Sequence, residues 1–535
     1  MSSPSEKKTL RFWGTFVALC ILSFISALDV SIIMTALPTI TAQIGGASQY
    51  IWIANSFVVA SSVPQPLFGQ LANVLGRRIP LIASTALFAL GSGVAGGAHN
   101  VAMLIAGRTI QGAGAGGIYV LLDIVCCDLV PLRQRGKYLG LMFSWSGVAA
   151  GLGPVVGGAL AQENWRWIFY MNIPICGVAL AAVLVCMRLK KHTEPQEIDY
   201  VGNIVFIPSV LAVLLGLVMG GIEHPWSSWR VVVPLVLGIM GWLGFHVQQH
   251  FARFPSVPER LFSNRTSAIC FALTFLSSIC VQASGYFLPI FFQAVLGTTP
   301  VRSGVNFLPL ALGMLVFAVI AGVLMEKTGK YKPLHGASFA IAAIGFGLLT
   351  LLDESTAKWA IFQLILGAGL GLTLSTLLPG IMAGLPESDV ASSTATYSFI
   401  RTFGYIWGVT IASIVFNGVF NHHLPRISSA DLRAQLRDGQ AYGFASQAHR
   451  IRNTVPSEVW SEVVDVYQKS LRVIWYIGAG ICVVSFCLVW IEKSIPLRKE
   501  LDTQYGIDND VETLSNAEDR IKLQQLKTDS SKYKA

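Results

Sequence analysis

Charge is the scarcest commodity in this chain. Asp, Glu, Lys and Arg make up 13% of its 535 residues, hydrophobic residues make up 53%, and the mean hydropathy is +0.59. Soluble domains carry roughly 25% charged residues, so this shortage excludes a soluble globular protein and leaves a polytopic membrane protein embedded in a lipid bilayer. Chemical signatures are missing as well. There is no H-E-x-x-H, no P-loop, no nucleophile elbow and no C-x-x-C, so no catalytic residue, metal site or cofactor is expected. The nine cysteines fall in or beside apolar segments, which excludes a disulfide framework. The net charge of +9 is no sign of nucleic acid, because the basic residues sit in short loops on one side.

Apolar windows of spanning length occur fourteen times between residues 11 and 491. Arg77, Arg78, Arg133, Arg135, Lys137, Arg188, Lys190, Lys191, Arg253, Arg260, Arg265, Lys327, Lys330 and Lys332 fall in one set of short loops. The opposite short loops hold only Arg166, Arg230, Arg302 and Lys358. The excess places the first set, and both termini, in the cytosol. The one N-x-[ST] sequon, Asn264-Arg265-Thr266, then lies on the cytosolic side and carries no glycan. A long external loop covers 418–470, with one or two surface helices expected around "SEVWSEVVDVYQKSLRV".

The sequence repeats itself. "GQLANVLGRR" (Gly69 to Arg78) aligns without a gap to "GVLMEKTGKY" (Gly322 to Tyr331), and "IQGAGAGG" (Ile110 to Gly117) matches "ILGAGLGL" (Ile365 to Leu372). The matched spans lie eight apart rather than six, so two helices are inserted between two equivalent halves. The expected fold is all-α and integral to the membrane: two six-helix halves plus two extra central helices. Its segments are a cytosolic N-terminus 1–10, a first half 11–187, a linker 188–200, the extra pair 201–250, a linker 251–266, a second half 267–491 and a tail 492–535. Such halves bind substrate near the midplane and work by alternating access. "GAGAGG" also matches G-x-G-x-x-G, but no strand precedes it and it lies inside a span, so the dinucleotide reading fails.

These motifs resemble those of the major facilitator superfamily. "GQLANVLGRR" is similar to its loop 2–3 signature, "RTIQGAGAGG" to its fourth-span signature and "AAGLGPVVGG" (Ala149 to Gly158) to its antiporter signature. "LDVSIIMTALP" (Leu28 to Pro38), "WRWIFYMNIP" (Trp165 to Pro174) and "YFLPIFFQAVLG" (Tyr286 to Gly297) resemble the fourteen-helix drug:proton antiporter family. "LLDIVCCDLVPLRQRGKYLG" (Leu121 to Gly140) resembles its fungal members, many of which export secondary metabolites or drugs. By this resemblance Gly69, Asn73, Gly76, Arg77 and Arg78 form a cytosolic gate, although the family usually has aspartate where Asn73 stands. Arg77 and Arg78 could equally be topology anchors. Gly151, Gly153, Pro154, Gly157 and Gly158 would bend the fifth span and seal the outer cavity, or simply pack.

An acid inside an apolar span costs a few kcal/mol by insertion scales, so Asp29 should face protein or water. Arg108 enters the fourth span from outside and lies on the order of 10 Å deep. Asp29 occupies the same outer half, which makes the two natural partners, either for proton coupling or as a permanent ion pair. Asp123 lies ~22 Å further in and is either a second coupling carboxylate or a solvated helix-end group. Asp128 is expected in a loop near Arg133 or Arg135. Asn55, Gln111, Gln282, Tyr286, Asn306 and Tyr397 are candidate cavity residues. The expected function is proton-coupled export of small, largely apolar molecules by a monomer in the cell membrane. A vacuolar membrane, an amino-acid or siderophore carrier and a non-transporting sensor are the alternatives.

Overall fold

The computed structural model describes residues 9–44, 50–187, 197–221, 224–437 and 439–500. In a bilayer every backbone polar group must be satisfied within the protein, which restricts spanning segments to helices here. The first-repeat helices are α1 (Leu10–Ile44), α2 (Tyr50–Ser62), α3 (Gln65–Leu75), α4 (Arg78–Gly96), α5 (Val101–Leu129), α6 (Leu132–Asn164), α7 (Trp167–Tyr170) and α8 (Asn172–Cys186). An inserted pair follows, α9 (Tyr200–Met219) and α10 (Trp229–Phe251), then the short α11 (Arg260–Ser263). The second repeat holds α12 (Arg265–Ile290), α13 (Pro300–Thr328), α14 (Lys332–Leu349), α15 (Thr356–Leu374), α16 (Leu377–Met382) and α17 (Val390–His423). After α18 (Ala430–Leu436), α19 (Gln440–Phe444) and α20 (Ala448–Ile451), the long α21 (Ser457–Val489) closes the bundle.

Among the described residues twelve helical segments are long and apolar enough to cross a membrane. Two further stretches accompany them: α2 and α3, separated at Pro64, and the 33-residue α6. One boundary differs from expectation. The segment "SEVWSEVVDVYQKSLRV" is not a detached surface helix but the first half of α21, because Trp460, Val463, Val466 and Tyr467 bury themselves in the second-repeat core. The expected 188–200 linker lies mostly outside the described residues, as do most of segment 1–10 and of the tail.

Glycines make the repeat visible as geometry. A Cβ at Gly112 or Gly116 would overlap the α2 backbone, and one at Gly114 would overlap α4. Their counterparts behave alike: a Cβ at Gly367 or Gly371 would overlap α13, and one at Gly369 would overlap α14. Lipid offers no hydrophobic drive for helix association, so close backbone approach through small residues supplies the contact instead. Gly69 packs against Ala395 of α17, and its counterpart Gly322 packs against Gly136 of α6, so each repeat reaches across to the other in the same way. Gly76 and Gly329, aligned in the sequence repeat, have φ of 77° and 69°. Only glycine adopts such a positive φ without cost.

The inserted pair is fastened to the first repeat. Gln70 Oε1 accepts from Asn203 Nδ2 at 2.8 Å and from the Asp199 amide at 3.3 Å, while its Nε2 donates to the Phe254 carbonyl at 3.2 Å. Phe206 and Trp242 then meet Phe399 and Phe403 of α17, with ring centroids 5.1 and 5.2 Å apart. The pair thus lies beside the line where the repeats meet.

Because Gly114 has backbone against its missing Cβ and Gly347 has open space, the two should respond differently to alanine. Gly114→Ala is expected to destabilise the protein by about 1–3 kcal/mol through overpacking, and Gly347→Ala by far less. Thermal unfolding of the purified variants, followed by size-exclusion fluorescence, checks this.

Candidate functional site

Asp29 and Arg108 meet, and they do not meet alone. Arg108 Nη1 donates to Asp29 Oδ2 and also to Gln111 Oε1 at 2.7 Å. Gln111 Nε2 donates to Asp29 Oδ1 at 2.7 Å and to Ser92 Oγ at 2.8 Å. Asn172 Nδ2 donates to Asp29 Oδ1 at 2.9 Å and to Ser92 Oγ at 3.2 Å. The Arg108 guanidinium lies 4.3 Å from the Phe57 ring centroid, a cation–π placement. Asp29 and Arg108 are each 1% exposed. The result is a knot between α1, α4, α5 and α8, all first-repeat helices. The depth argument from sequence pointed to the charge pair. It gave no hint of Asn172 and Ser92, although Asn172 stands in the quoted "WRWIFYMNIP".

Asp123 belongs to a second, separate pair. It is 1% exposed, not a solvated helix end. Arg401 Nη2 donates to its Oδ2 at 3.3 Å and Ser398 Oγ does so at 3.3 Å. Arg401 sits 5.0 Å from the Tyr397 ring and 5.2 Å from the Phe143 ring. Asp123 lies on α5 and Arg401 on α17, so this pair joins the two repeats. Arg side chains on a helix point toward its N-terminus, which carries the guanidinium from residue 401 back toward the basic-loop end, where Asp123 sits.

At that end the loop residues expected to form a gate come together. Gly76 turns the chain so that Arg77 donates to the Ala72 carbonyl at 2.7 Å, to Asn73 Oδ1 at 3.1 Å and to Asp128 Oδ2 at 2.8 Å. Asp128 is therefore not a loop residue, and its ion pair is with Arg77, although Arg135, whose Nε donates to the adjacent Cys127 carbonyl at 3.0 Å, also lies near it. The aspartate lies in the last turn of α5, buried, and supplies Arg77 with the negative charge that Asn73 lacks. Arg78 donates to the Leu184 carbonyl at 2.5 Å. Across the seam Arg135 pairs with Glu387 at 2.6 Å, Lys137 pairs with Glu326 at 3.1 Å, and Arg133 donates to the Glu326 and Lys327 carbonyls, both at 2.6 Å. Among the described residues the ion pairs Arg135–Glu387, Lys137–Glu326 and Arg401–Asp123 join the repeats, and they lie toward this basic-loop end.

The α6 glycines serve both repeats. Gly153 packs on Ser31 of α1, whose hydroxyl donates to the Ala150 carbonyl at 2.8 Å, and a Cβ at Gly151 would sit 3.2 Å from Leu308 of α13. Gly157 is buried; the side chains of Pro154 and Gly158 lie outside the described residues. The expected cavity residues are not gathered at one place. Gln111 is held in the Asp29 knot and Tyr397 stacks under Arg401. Asn306 is buried on α13, where its carbonyl accepts from Gln363 Nε2 of α15 at 3.0 Å. Asn55, Gln282 and Tyr286 are half-buried. One contact has no sequence signal: His335 Nδ1 lies 3.0 Å from Glu492, and Cys270 Sγ lies 3.6 Å from the same carboxylate, all three buried. It ties the segment after α21 to α12 and α14.

A two-repeat helical bundle with buried ion pairs in its spans is the architecture of a multi-pass membrane protein, and its relatives make it a transporter rather than an enzyme. The chain belongs to the Major Facilitator Superfamily, whose family model matches residues 19–409. It is 44% identical to the MFS efflux transporter aclA of Aspergillus oryzae, covering 95% of this chain and 94% of that one. It is 45% identical to the MFS-type transporter gkaD of Penicillium citrinum, covering 96% and 90%. It is 42% identical to the acurin A biosynthesis cluster MFS-type transporter of Aspergillus aculeatus, covering 94% and 92%. Among solved structures, the human organic anion transporter MFSD10 superposes with a TM-score of 0.58 at 13% identity, covering 90% of this chain and 100% of that chain. At that identity the likeness concerns fold alone.

Removing one partner of a buried ion pair leaves an uncompensated charge and typically costs about 3–5 kcal/mol. Asp29→Asn should lower thermal stability accordingly, and Asp29→Asn with Arg108→Gln should recover part of the loss. Unfolding temperatures of the native protein and the two variants in one detergent test this; equal values for the single and double variants contradict the reading of a tight pair.

Proposed function

We propose that this transporter exports small, largely apolar molecules in exchange for protons by alternating access, in the manner of a fourteen-helix antiporter with both termini cytosolic. Fungal secondary metabolites are the substrate class, a reading supported by efflux transporters and a biosynthesis-cluster transporter at 42–45% identity over most of the chain. The observation that carries the coupling is the pair of buried carboxylates, Asp29 and Asp123, each facing an arginine inside an apolar bundle. No group there supplies energy by chemistry, so an ion gradient drives the cycle. Intramembrane carboxylates with arginine partners are the usual proton-handling groups.

The protein works as a monomer in this reading, since one chain holds both repeats and both charge pairs. The long cap formed by α18–α20 packs on the second repeat, with Leu432, Leu436, Phe444 and Ala448 in its core. It is treated as a fixed cover rather than a lid.

The test is flux in sealed, oriented vesicles loaded with apolar fluorescent compounds and fungal metabolites. Uphill movement of at least one compound is expected when a pH gradient is imposed, with collapse on adding a protonophore. Flux indifferent to the gradient would overturn proton coupling, and no flux in folded protein would overturn the substrate class.

A further inference from the structure

We infer that Cys270, His335 and Glu492 form a binding site for a zinc-like divalent cation, which staples the segment after α21 to α12 and α14. The inference does not rest on the transport reading and concerns side chains that reading leaves unused.

The three side chains come from three separate places. Cys270 lies in the second turn of α12, His335 in the first turn of α14 and Glu492 just beyond the end of α21. Cys270 and His335 are thus within ~8 Å of the basic-loop ends of their helices. Glu492 is 222 positions from Cys270 and 157 from His335. A search for short ligand spacings such as C-x-x-C cannot find such a set. Among the described residues no other three His, Cys, Asp or Glu side chains bring ligand atoms so close together.

Their spacing suits a metal ion. His335 Nδ1 lies 3.0 and 3.1 Å from the two Glu492 oxygens, and Cys270 Sγ lies 3.6 Å from Oε1. A tetrahedral zinc with N and O at about 2.0–2.1 Å and S at about 2.3 Å sets its ligand atoms roughly 3.3–3.5 Å apart. Two edges of the cluster are therefore close to that value, and the third, from Sγ to the imidazole, lies within 4.8 Å. A fourth position remains for the second Glu492 oxygen or for water. The wall contributed by α16 is backbone: a Cβ at Gly380 would stand 3.1 Å from both Cys270 Sγ and His335 Cε1.

The donor set selects the ion. Thiolate and imidazole favour zinc over magnesium or calcium, which take oxygen ligands. Thiolate and carboxylate together carry two negative charges, which one divalent cation cancels where all three side chains are buried. Binding deprotonates the Cys270 thiol, whose proton leaves to solvent, and the ring coordinates through Nδ1 with its N–H on Nε2. Hydrogen bonding alone leaves His335 half satisfied. Its Nδ1 turns to Glu492, while Nε2 is buried without a hydrogen-bond partner among the described residues.

Neighbouring polar groups do not compete for the carboxylate. Lys332 Nζ donates to the Trp490 and Glu492 carbonyls, and the Tyr331 hydroxyl donates to the Lys493 carbonyl. Both hold the backbone of the segment and leave the Glu492 side chain to Cys270 and His335. Because Glu492 arrives with that segment, the cation enters before the segment docks. Further along, the Arg133 amide of α6 donates to the Arg498 carbonyl at 3.2 Å, so the stapled segment goes on to touch the first repeat.

The test uses the full chain, purified on a tag free of histidine, stripped with a chelator and titrated with zinc. The native protein should retain roughly one zinc per chain by elemental analysis, and cobalt in its place should show a thiolate charge-transfer band. Cys270→Ser and His335→Gln should each weaken binding on the order of 100-fold, and Cys270→Ser should abolish the cobalt band. Zinc should also slow tryptic cleavage after Lys493 several-fold in the native protein and not in Cys270→Ser. That variant keeps a hydroxyl donor for Glu492, and size-exclusion profiles confirm that each protein is folded. Zinc held equally by the native protein and both variants would sit elsewhere and overturn the inference. A folded native protein that binds none would overturn it too, leaving a hydrogen-bonded cluster only. Cleavage unchanged by bound zinc would overturn the stapling.

Discussion

An ionised side chain cannot stand alone in an apolar slab, and much of this bundle is arranged around that fact. Taking one charge out of water costs several kcal/mol even after relaxation, so Asp29, Asp123 and Asp128 each end against an arginine. Each pairing then dictates helix placement. The first fastens α1, α4, α5 and α8 into one body, the third fixes the turn after α3, and the second bridges the repeats.

Small residues supply the complementary half of the design. Glycines on α5 and α15 bring backbones together within each repeat, while Gly69 and Gly322 do so between repeats. A seam of glycine against backbone, with charged pairs along its rim, can open without tearing out large interdigitated side chains. The G-x-G-x-x-G look-alike thus has a packing explanation, since its glycines face α2 and α4 alternately.

How much of this could be read beforehand depended on whether the information was local. Spanning segments follow from hydropathy and the repeat from matched motifs, because burial in lipid acts residue by residue. The meeting of Asp29 with Arg108 follows from depth along two helices of opposite direction. Depth alone could not show that Asp123 meets Arg401, 278 positions away, since which helix faces which is a matter of bundle packing. The same gap hid the ion pair of Asp128: Arg135 does lie near it, but the carboxylate is held by another arginine. Its true partner, Arg77, is brought in by the glycine turn at residue 76. Glu492 looked like the start of a polar tail, and only the packed bundle shows it buried against His335.

The most direct test of the central claim, that carboxylates inside the spans take up protons, is infrared difference spectroscopy, which detects the carbonyl stretch of a protonated carboxyl group. Asp29→Asn and Asp123→Asn assign the bands. In reconstituted protein followed from pH 8 to 5, the account predicts a band that grows on acidification and is lost in one of the two variants. A spectrum in which neither carboxylate titrates would contradict it.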